Sequence, residues 1–480
     1  MPKHSNNKRT YKHPVHKHPV IIIGGGWSGL ACAITLADNN IPIVLLESAP
    51  QLGGRARGVH FKQFLNTADK KAYSTQANRA HQQLDNGQHI MLGAYHTTLS
   101  LFHCLGIDTK KVLQRQTLQL SLFSPKTDNN KKHAIHLTTP QLPAPLHLIV
   151  ALATTQGLGV KERFSAISMS IKLAIKQFTL KKDISVKSLL NHYQQSPFLI
   201  QVLWEPLCLA TMNTPIHSAS AQLFLNVLKD SFSHKRSDCD YLFFKQNLSE
   251  CFCQPAQAFI EQHGGSIHLS SKVIDIIPKA QSFIINTAYE QFESSNIVLA
   301  TPAAISQKIL SKTPIASPYL LPREASLEFQ YEPICTVYLQ YPSGTQLPQT
   351  MIGLFATLSQ WVIDRSLCQQ DGLLAIVISG SGKHLTMAQQ DLAQHIHNEL
   401  SACLDKLPQF IDYQIIIEKK ATFSAKVDIE KQRPSNKTQI NGLFLAGDYT
   451  QTHYPSTLEG AVKSGICAAQ LVLEKINTQQ

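Results

Sequence analysis

At 480 residues the chain exceeds what one compact core usually holds, so two domains are expected. Hydrophobic content of 43% is that of a globular enzyme, and the absence of any run of 18 apolar residues excludes a membrane-spanning segment. The formal net charge of +12 comes without an aromatic-interleaved basic groove or a nucleic-acid module. Nucleic acid is therefore set aside, and an anionic lipid surface is the better-suited acidic partner.

The first 18 residues carry Lys3, Lys8, Arg9, Lys12 and Lys17 with no acid, and read as a basic, disordered arm. Structure begins at Val20-Ile-Ile-Ile, a β-branched strand, followed directly by Gly24-Gly25-Gly26-Trp27-Ser28-Gly29. Gly24, Gly26 and Gly29 fill the G-x-G-x-x-G pattern that precedes a helix. The first permits a tight turn, the second lets a pyrophosphate reach the backbone, and the third lets helix and strand approach closely. The helix N-terminus at Trp27 and Ser28 then offers free N–H groups and a positive dipole end to phosphates. Glu47 ends the next apolar strand 18 residues beyond Gly29, where a carboxylate accepts ribose hydroxyls.

Immediately downstream, Gly53-Gly54-Arg55-Ala56-Arg57 supplies a second glycine pair and two arginines. An NAD site has no use for them. An extended FAD does, because its pyrophosphate and ribityl chain would pass under this loop and take charge-assisted hydrogen bonds from Arg55 or Arg57. Leu84-Asp85-Asn86-Gly87-Gln88-His89 follows, with Asn86-Gly87 reading as a tight hairpin turn.

Between Arg163 and Lys182, Phe164, Ile167, Ile171, Ile175 and Phe178 follow helical spacing, with Lys172 and Lys176 on the flank. This is the pattern of an interfacial helix, and also of an ordinary helix facing a core. Val202-Leu-Trp204-Glu205-Pro206-Leu is an apolar helical stretch broken by proline, with one carboxylate in it. Residues 264–302 return to strand patterning and include Val273. Ser379-Gly-Ser-Gly382-Lys383 lacks the upstream glycine of a phosphate loop and reads as a strand-end turn.

The chain closes on Gly442-Leu-Phe-Leu-Ala-Gly447-Asp448, a strand ending in Gly-Asp, then on a helix opened by Pro455-Ser-Thr457-Leu458-Glu459. Asp448 would hold a ribityl hydroxyl. The N-terminus of the last helix, at Thr457 and Leu458, would direct its dipole at the flavin edge that gains charge on reduction. The ten cysteines are scattered, and only Cys251 and Cys253 are close, at a spacing that is neither a zinc nor a redox motif. No metal is expected. Reduced thiols and the lack of a secretory leader suit the cytoplasm.

Together the three nucleotide-site blocks resemble the FAD-dependent amine oxidase and carotenoid desaturase superfamily. Asp85-Asn-Gly-Gln-His89 to Tyr95, Trp204-Glu-Pro-Leu to Asn213-Thr-Pro215, and Thr457-Leu-Glu-Gly-Ala-Val462 are similar to its bacterial squalene-associated branch, the hydroxysqualene dehydroxylases. The likeness runs from about Val20 to about Leu473. It implies an α/β fold: a Rossmann-type FAD-binding domain (19–110, 239–302 and 426–480) with an inserted α+β substrate domain (111–238 and 303–425). It also implies backbone contact between Val273 and the adenine.

The implied activity replaces the hydroxyl of an allylic C30 isoprenoid alcohol by hydrogen, in squalene and hopanoid synthesis, through hydride from reduced flavin. Such chemistry needs a general acid, for which His89 and Glu205 are the candidates, ahead of Asp230 and Asp238. Aromatic faces at Trp204, Tyr95, Phe232 or Tyr454 would stabilise the allylic cation. A carotenoid desaturase or an amine oxidase on the same scaffold is the alternative, the latter wanting an aromatic pair such as Tyr449 and Tyr454. A prenyl-binding carrier without flavin is a third, opposed by intact Glu47, Arg55 and Asp448. With one dinucleotide fingerprint present, the electron donor is not identified. Peripheral contact with the cytoplasmic face of the membrane is expected of a protein with such a substrate.

Overall fold

The computed structural model describes residues 18–60, 83–125, 134–313, 325–404 and 406–478, so nearly all of the basic arm lies outside the described residues. Val20–Ile23 is wholly apolar because it is the centre of a five-stranded parallel sheet covered on both faces. It pairs with Ile43–Leu46 on one side and Ile297–Leu299 on the other. Ser266–His268 and Leu443–Leu445 form the edges. Segments far apart in sequence are thus neighbours in one sheet, and their carboxyl ends share one rim.

Close approach of backbones sets the helical layer. The helix Trp27–Asp38 rests on the sheet so tightly that a Cβ on Gly29 would lie 1.9 Å from the Gly24 carbonyl oxygen. The final helix, Leu458–Thr478, crosses it at Gly465, where a Cβ would meet the Ser28 carbonyl oxygen at 2.1 Å. No side chain could stand at either position without moving a helix.

A second sheet has seven strands in the spatial order Asp412–Phe423, Tyr331–Gln340, Leu373–Ser379, Trp361–Asp364, Met351–Leu354, Gln119–Phe123 and Ala134–Thr138. Both insertions contribute to it, since Leu122 and Phe123 pair in parallel with Gly353 and Leu354. Alternation divides its two faces. Val337, Leu339, Ile352, Val362, Leu374 and Ile376 pack under the helix Gln389–Cys403, whereas Met351, Trp361, Ile363 and Val377 face a cavity. Helices Leu146–Thr154, Val160–Ile175, Val186–His192, Glu205–Met212 and Ala221–Phe232 close the opposite side.

Two local expectations are corrected, and one left open is resolved. Asn86-Gly87 does not turn a hairpin: Gln83–Asp85 pairs with Gly58–His60, while Ile90–Leu92 pairs with Tyr241–Phe244, so residues 86–89 cross between two sheets. Pro206 does not break its helix. A π turn at Ile200–Trp204 precedes it, and the helix continues to Met212; a wider turn upstream accommodates a residue with no N–H to donate. The lysine-flanked stripe, whose partner the sequence left open, is split: Phe164, Ile171 and Ile175 face solvent, Ile167 packs on the core, and Phe178 lies beyond the helix end on the cavity wall, while Ala166, Met169 and Leu173 form the buried side of that helix.

Candidate active site

One cavity of about 1030 Å³ runs from the carboxyl ends of the parallel strands into the space beneath the second sheet. Its first half is polar and built from backbone. Gly24 (φ +113°) makes the turn out of the first strand, and Gly26 lies open towards the cavity, its nearest prospective Cβ neighbour being Gly54 Cα at 3.9 Å. No side chain caps the helix that starts at Trp27. Its N-terminal dipole and amides are therefore available to an anion. Ser28 Oγ and Arg57 Nε both belong to cavity-lining residues, and both are buried without a protein partner. Buried polar atoms are seldom left so, and a pyrophosphate would satisfy both. Trp27 itself serves packing: its indole stacks on Phe252 at 4.1 Å and donates to Ala56 O at 2.9 Å, holding the arginine loop against the helix.

Glu47 is oriented by its own surroundings. Its Oε2 accepts from Gly25 N at 2.6 Å and its Oε1 from Ala49 N at 2.7 Å, which places the buried carboxylate on the cavity wall beside Ser48 and Val273. Val273 starts a strand whose ladder is irregular before Asp275. Further in, Arg55 forms an ion pair with Asp448 and donates to Ala421 O at 2.9 Å. Burial alone would raise the Asp448 carboxyl, yet Arg55, the Ser456 hydroxyl and nearby Arg433 hold it below the usual carboxylate range. Gly447 (φ +151°) is forced by the strand end, where a Cβ would strike the Tyr449 ring. Thr457 Oγ1 accepts from Gly460 N at 3.1 Å at the head of the last helix, and Thr457 and Leu458 line the cavity. The residues expected to cradle the nucleotide thus share one surface, although they come from both ends of the chain.

The second half is apolar. Leu118, Leu120, Leu137, Leu148, Leu152 and Leu173 line it, with the rings of Trp204, Tyr95, Phe232, Tyr454, Tyr241 and Trp361. All four aromatics anticipated as cation stabilisers are among these. Tyr449 is not: it is buried elsewhere, its hydroxyl 3.3 Å from Ser306 Oγ, so the expected amine-binding pair of Tyr449 and Tyr454 is not assembled.

The two proposed acids fare differently. His89 lines the cavity, but its Nδ1 is 2.8 Å from Gly87 O and must carry the proton there. Burial pushes its imidazole down to about 4, so at neutral pH it is an uncharged ring whose Nε2 is an acceptor. Glu205 starts its helix and is not among the residues that line the cavity. Glu459, in the first turn of the last helix, accepts from Thr97 N at 3.0 Å and Thr98 N at 2.9 Å, capping the neighbouring helix His96–Cys104.

Sequence reasoning missed two buried arginines. Arg433 donates to Asp448 O at 2.8 Å, Tyr454 O at 2.7 Å and Thr452 Oγ1 at 2.8 Å, and so shapes the loop after Asp448. Arg365 donates to Gln88 Oε1 at 2.8 Å and to Gln370 Oε1 at 2.8 Å, fixing the 86–89 crossing above buried Asp85. Nothing in their local sequence marks them. The pairing of Tyr454 with Asp230, whose carboxylate accepts a hydrogen bond from the phenol, is likewise invisible in sequence because the two lie 224 residues apart.

Residues 27–473 match the model for flavin containing amine oxidoreductases, and the chain belongs to that family. It is a flavin-dependent oxidoreductase, with the α/β fold that family implies. More narrowly, it is similar to the hydroxysqualene dehydroxylase of Zymomonas mobilis subsp. mobilis, with 22% identity spanning 94% of this chain and 98% of the relative. It is also similar to the chloroplastic/chromoplastic 15-cis-phytoene desaturase of Glycine max, at 23% identity over 98% of this chain and 82% of the relative. Among solved structures, cyclohexylamine oxidase from Brevibacterium oxydans IH-35A shares the fold, with a TM-score of 0.69 over 96% of this chain and 99% of that one at 14% identity.

Proposed function

We propose that this chain is an FAD-dependent enzyme of squalene synthesis that reductively removes the hydroxyl of hydroxysqualene, giving squalene and water. The observation that carries the reading is the continuity of the polar cradle with a leucine-lined, aromatic-studded chamber. The dehydroxylase similarity supplies the particular reaction.

FAD fits the residues present. Gly24, Gly26, Ser28 and Arg57 would take the pyrophosphate, Glu47 and Val273 the adenosine, and Gly54, Arg55 and Asp448 the ribityl chain, with Thr457 and Leu458 at the ring. Bound and reduced, it supplies hydride.

The protein's own work is proton transfer and shielding. Hydroxide leaves readily only as water, so a donor must touch the hydroxyl. Tyr454 is the donor in this reading: its O–H, which rests on Asp230, turns to the substrate hydroxyl and passes it the proton that leaves in the water, and neutral His89 accepts that hydroxyl's own hydrogen bond and orients it. The faces of Trp204, Tyr95 and Phe232 stabilise the allylic cation, and the aliphatic wall keeps bulk water from trapping it. The electron donor that reduces the flavin is a separate partner.

An anaerobic single turnover tests the proposal. The holoprotein is photoreduced and mixed with hydroxysqualene in detergent. Reoxidation of the flavin with stoichiometric squalene is expected. A reduced flavin that stays reduced overturns it. If phytoene then reduces the oxidised flavin, the desaturase reading takes its place, which the Glycine max similarity favours.

A further inference from the structure

The helices that wall the apolar chamber carry a second apolar surface on their outer side. Leu148, Leu152, Ser170 and Leu173 of Leu146–Thr154 and Val160–Ile175 line the cavity. At 100° per residue, Ala166, Met169 and Leu173 of the longer helix point inward, and Val160, Phe164, Ile171 and Ile175 point the opposite way, with Ile167 at the boundary packed on the core. Phe164 is 69% exposed and Ile175 76%. Of the twelve large hydrophobic residues exposed among the described residues, six fall between Leu142 and Ile175. A soluble helix needs one apolar stripe; this one has two, and packing accounts for only the inner one.

Charge identifies what covers the outer stripe. Between Leu142 and Lys182 there are six basic residues (Lys161, Arg163, Lys172, Lys176, Lys181 and Lys182) against Glu162 alone, a net +5. Lys161, Lys172 and Lys176 are exposed and lie along one flank of the stripe. A second copy docking through this face about a two-fold axis would bring like charges together. A surface of acyl chains beneath anionic head groups satisfies both features at once.

We propose that the outer face of Leu146–Thr154 and Val160–Ile175 docks on an anionic lipid surface, with Phe164, Ile171 and Ile175 among the acyl chains and the lysines at the phosphates. One layer of helix then separates the substrate chamber from the lipid. The docking rests on the exposed stripe and its charge; the purpose assigned to it, access to a lipid-dissolved isoprenoid, rests on the function proposed above.

The test is flotation of the holoprotein with phosphatidylcholine vesicles, with and without phosphatidylglycerol, at low and high salt. Binding is expected only with the anionic lipid, and salt should weaken it. Phe164→Ser with Ile175→Ser should reduce binding at least about tenfold, since two exposed apolar anchors are lost. Lys172→Glu with Lys176→Glu should abolish the preference for anionic lipid. Flavin content and single-turnover rate on detergent-dispersed substrate should stay unchanged in both variants, because neither pair touches the cavity. Vesicle binding that the serine pair leaves intact overturns the proposal. So does a wild-type dimer that the serine pair dissociates. Turnover in detergent without vesicle binding overturns the docking alone, and docking without turnover overturns only the reaction.

Discussion

Replacing Arg55 by methionine tests the central electrostatic contact of the cradle. The guanidinium pairs with Asp448, whose side chain is 7% exposed while that of Arg55 is 33% exposed. Removing one partner of a fully buried pair costs about 3–5 kcal/mol, because the other charge is left behind. Partial exposure of Arg55 screens the interaction, so about 2–3 kcal/mol is expected here. Asp448 keeps Ser456 and the more distant Arg433 but loses its principal counter-charge. Its depressed pKa should then rise, and the sign of its pH dependence should reverse. In the wild type, the carboxylate contributes stability above its unfolded pKa and loses it as pH falls through the lower folded value. In Arg55→Met, stability from this group falls as pH rises through the raised value. Adding Asp448→Asn should recover most of the lost stability without restoring flavin affinity. Urea denaturation of the apoprotein across pH, with flavin fluorescence titration, reads both quantities in a double-mutant cycle. An Arg55→Met penalty below about 0.5 kcal/mol, or a double variant no more stable than the single, would refute the argument.

Three further outcomes follow from particular contacts. Gly26→Ala should fold like the wild type but bind flavin weakly, since its methyl projects into open cavity; Gly29→Ala should destabilise by about 3 kcal/mol or more, since its methyl meets Gly24 O at 1.9 Å. Thermal melts and flavin content of the two should move in opposite order. Burial raises the Asp85 carboxyl from 3.8 to about 6 against the pull of Arg365. Its neutral form is therefore favoured by folding, and stability from this site is full below 3.8 and lost as pH rises to about 6. Asp85→Asn should remove that slope, at most about 1.4 kcal/mol per pH unit, in urea melts taken on either side of pH 5. Tyr454→Phe should lower kcat by about a hundredfold or more with KM little changed, whereas Glu205→Gln should leave both near wild type. A Glu205→Gln enzyme as slow as Tyr454→Phe would return the acid's role to Glu205.

Much of the proposed nucleotide site was legible because its demands are local. A backbone that must turn, admit a phosphate and touch a helix accepts only glycine, so Gly24, Gly26 and Gly29 announce themselves at fixed spacing. Glu47 and Asp448 stand at strand ends for a similar reason: a parallel strand must be apolar along its length, and the first polar residue marks its rim. The acid was illegible because a proton donor is defined by its neighbours. His89 and Glu205 occupy suggestive places in sequence, but burial with a bond to Gly87 makes the first uncharged, and the second is not part of the cavity wall.

The stripe of Phe164, Ile171 and Ile175 makes the same division. Its spacing determined that one face of a helix would be apolar, and nothing in spacing says whether that face meets core or surroundings. Only the tertiary structure decided it, by giving the inward position to Ala166, Met169 and Leu173. Periodicity and strand-end chemistry act over a few residues and can be read from the chain. Which side chain faces a cavity, which charge is paired and which stripe is left uncovered depend on segments hundreds of residues apart meeting in space, as Arg55 meets Asp448 and Tyr454 meets Asp230.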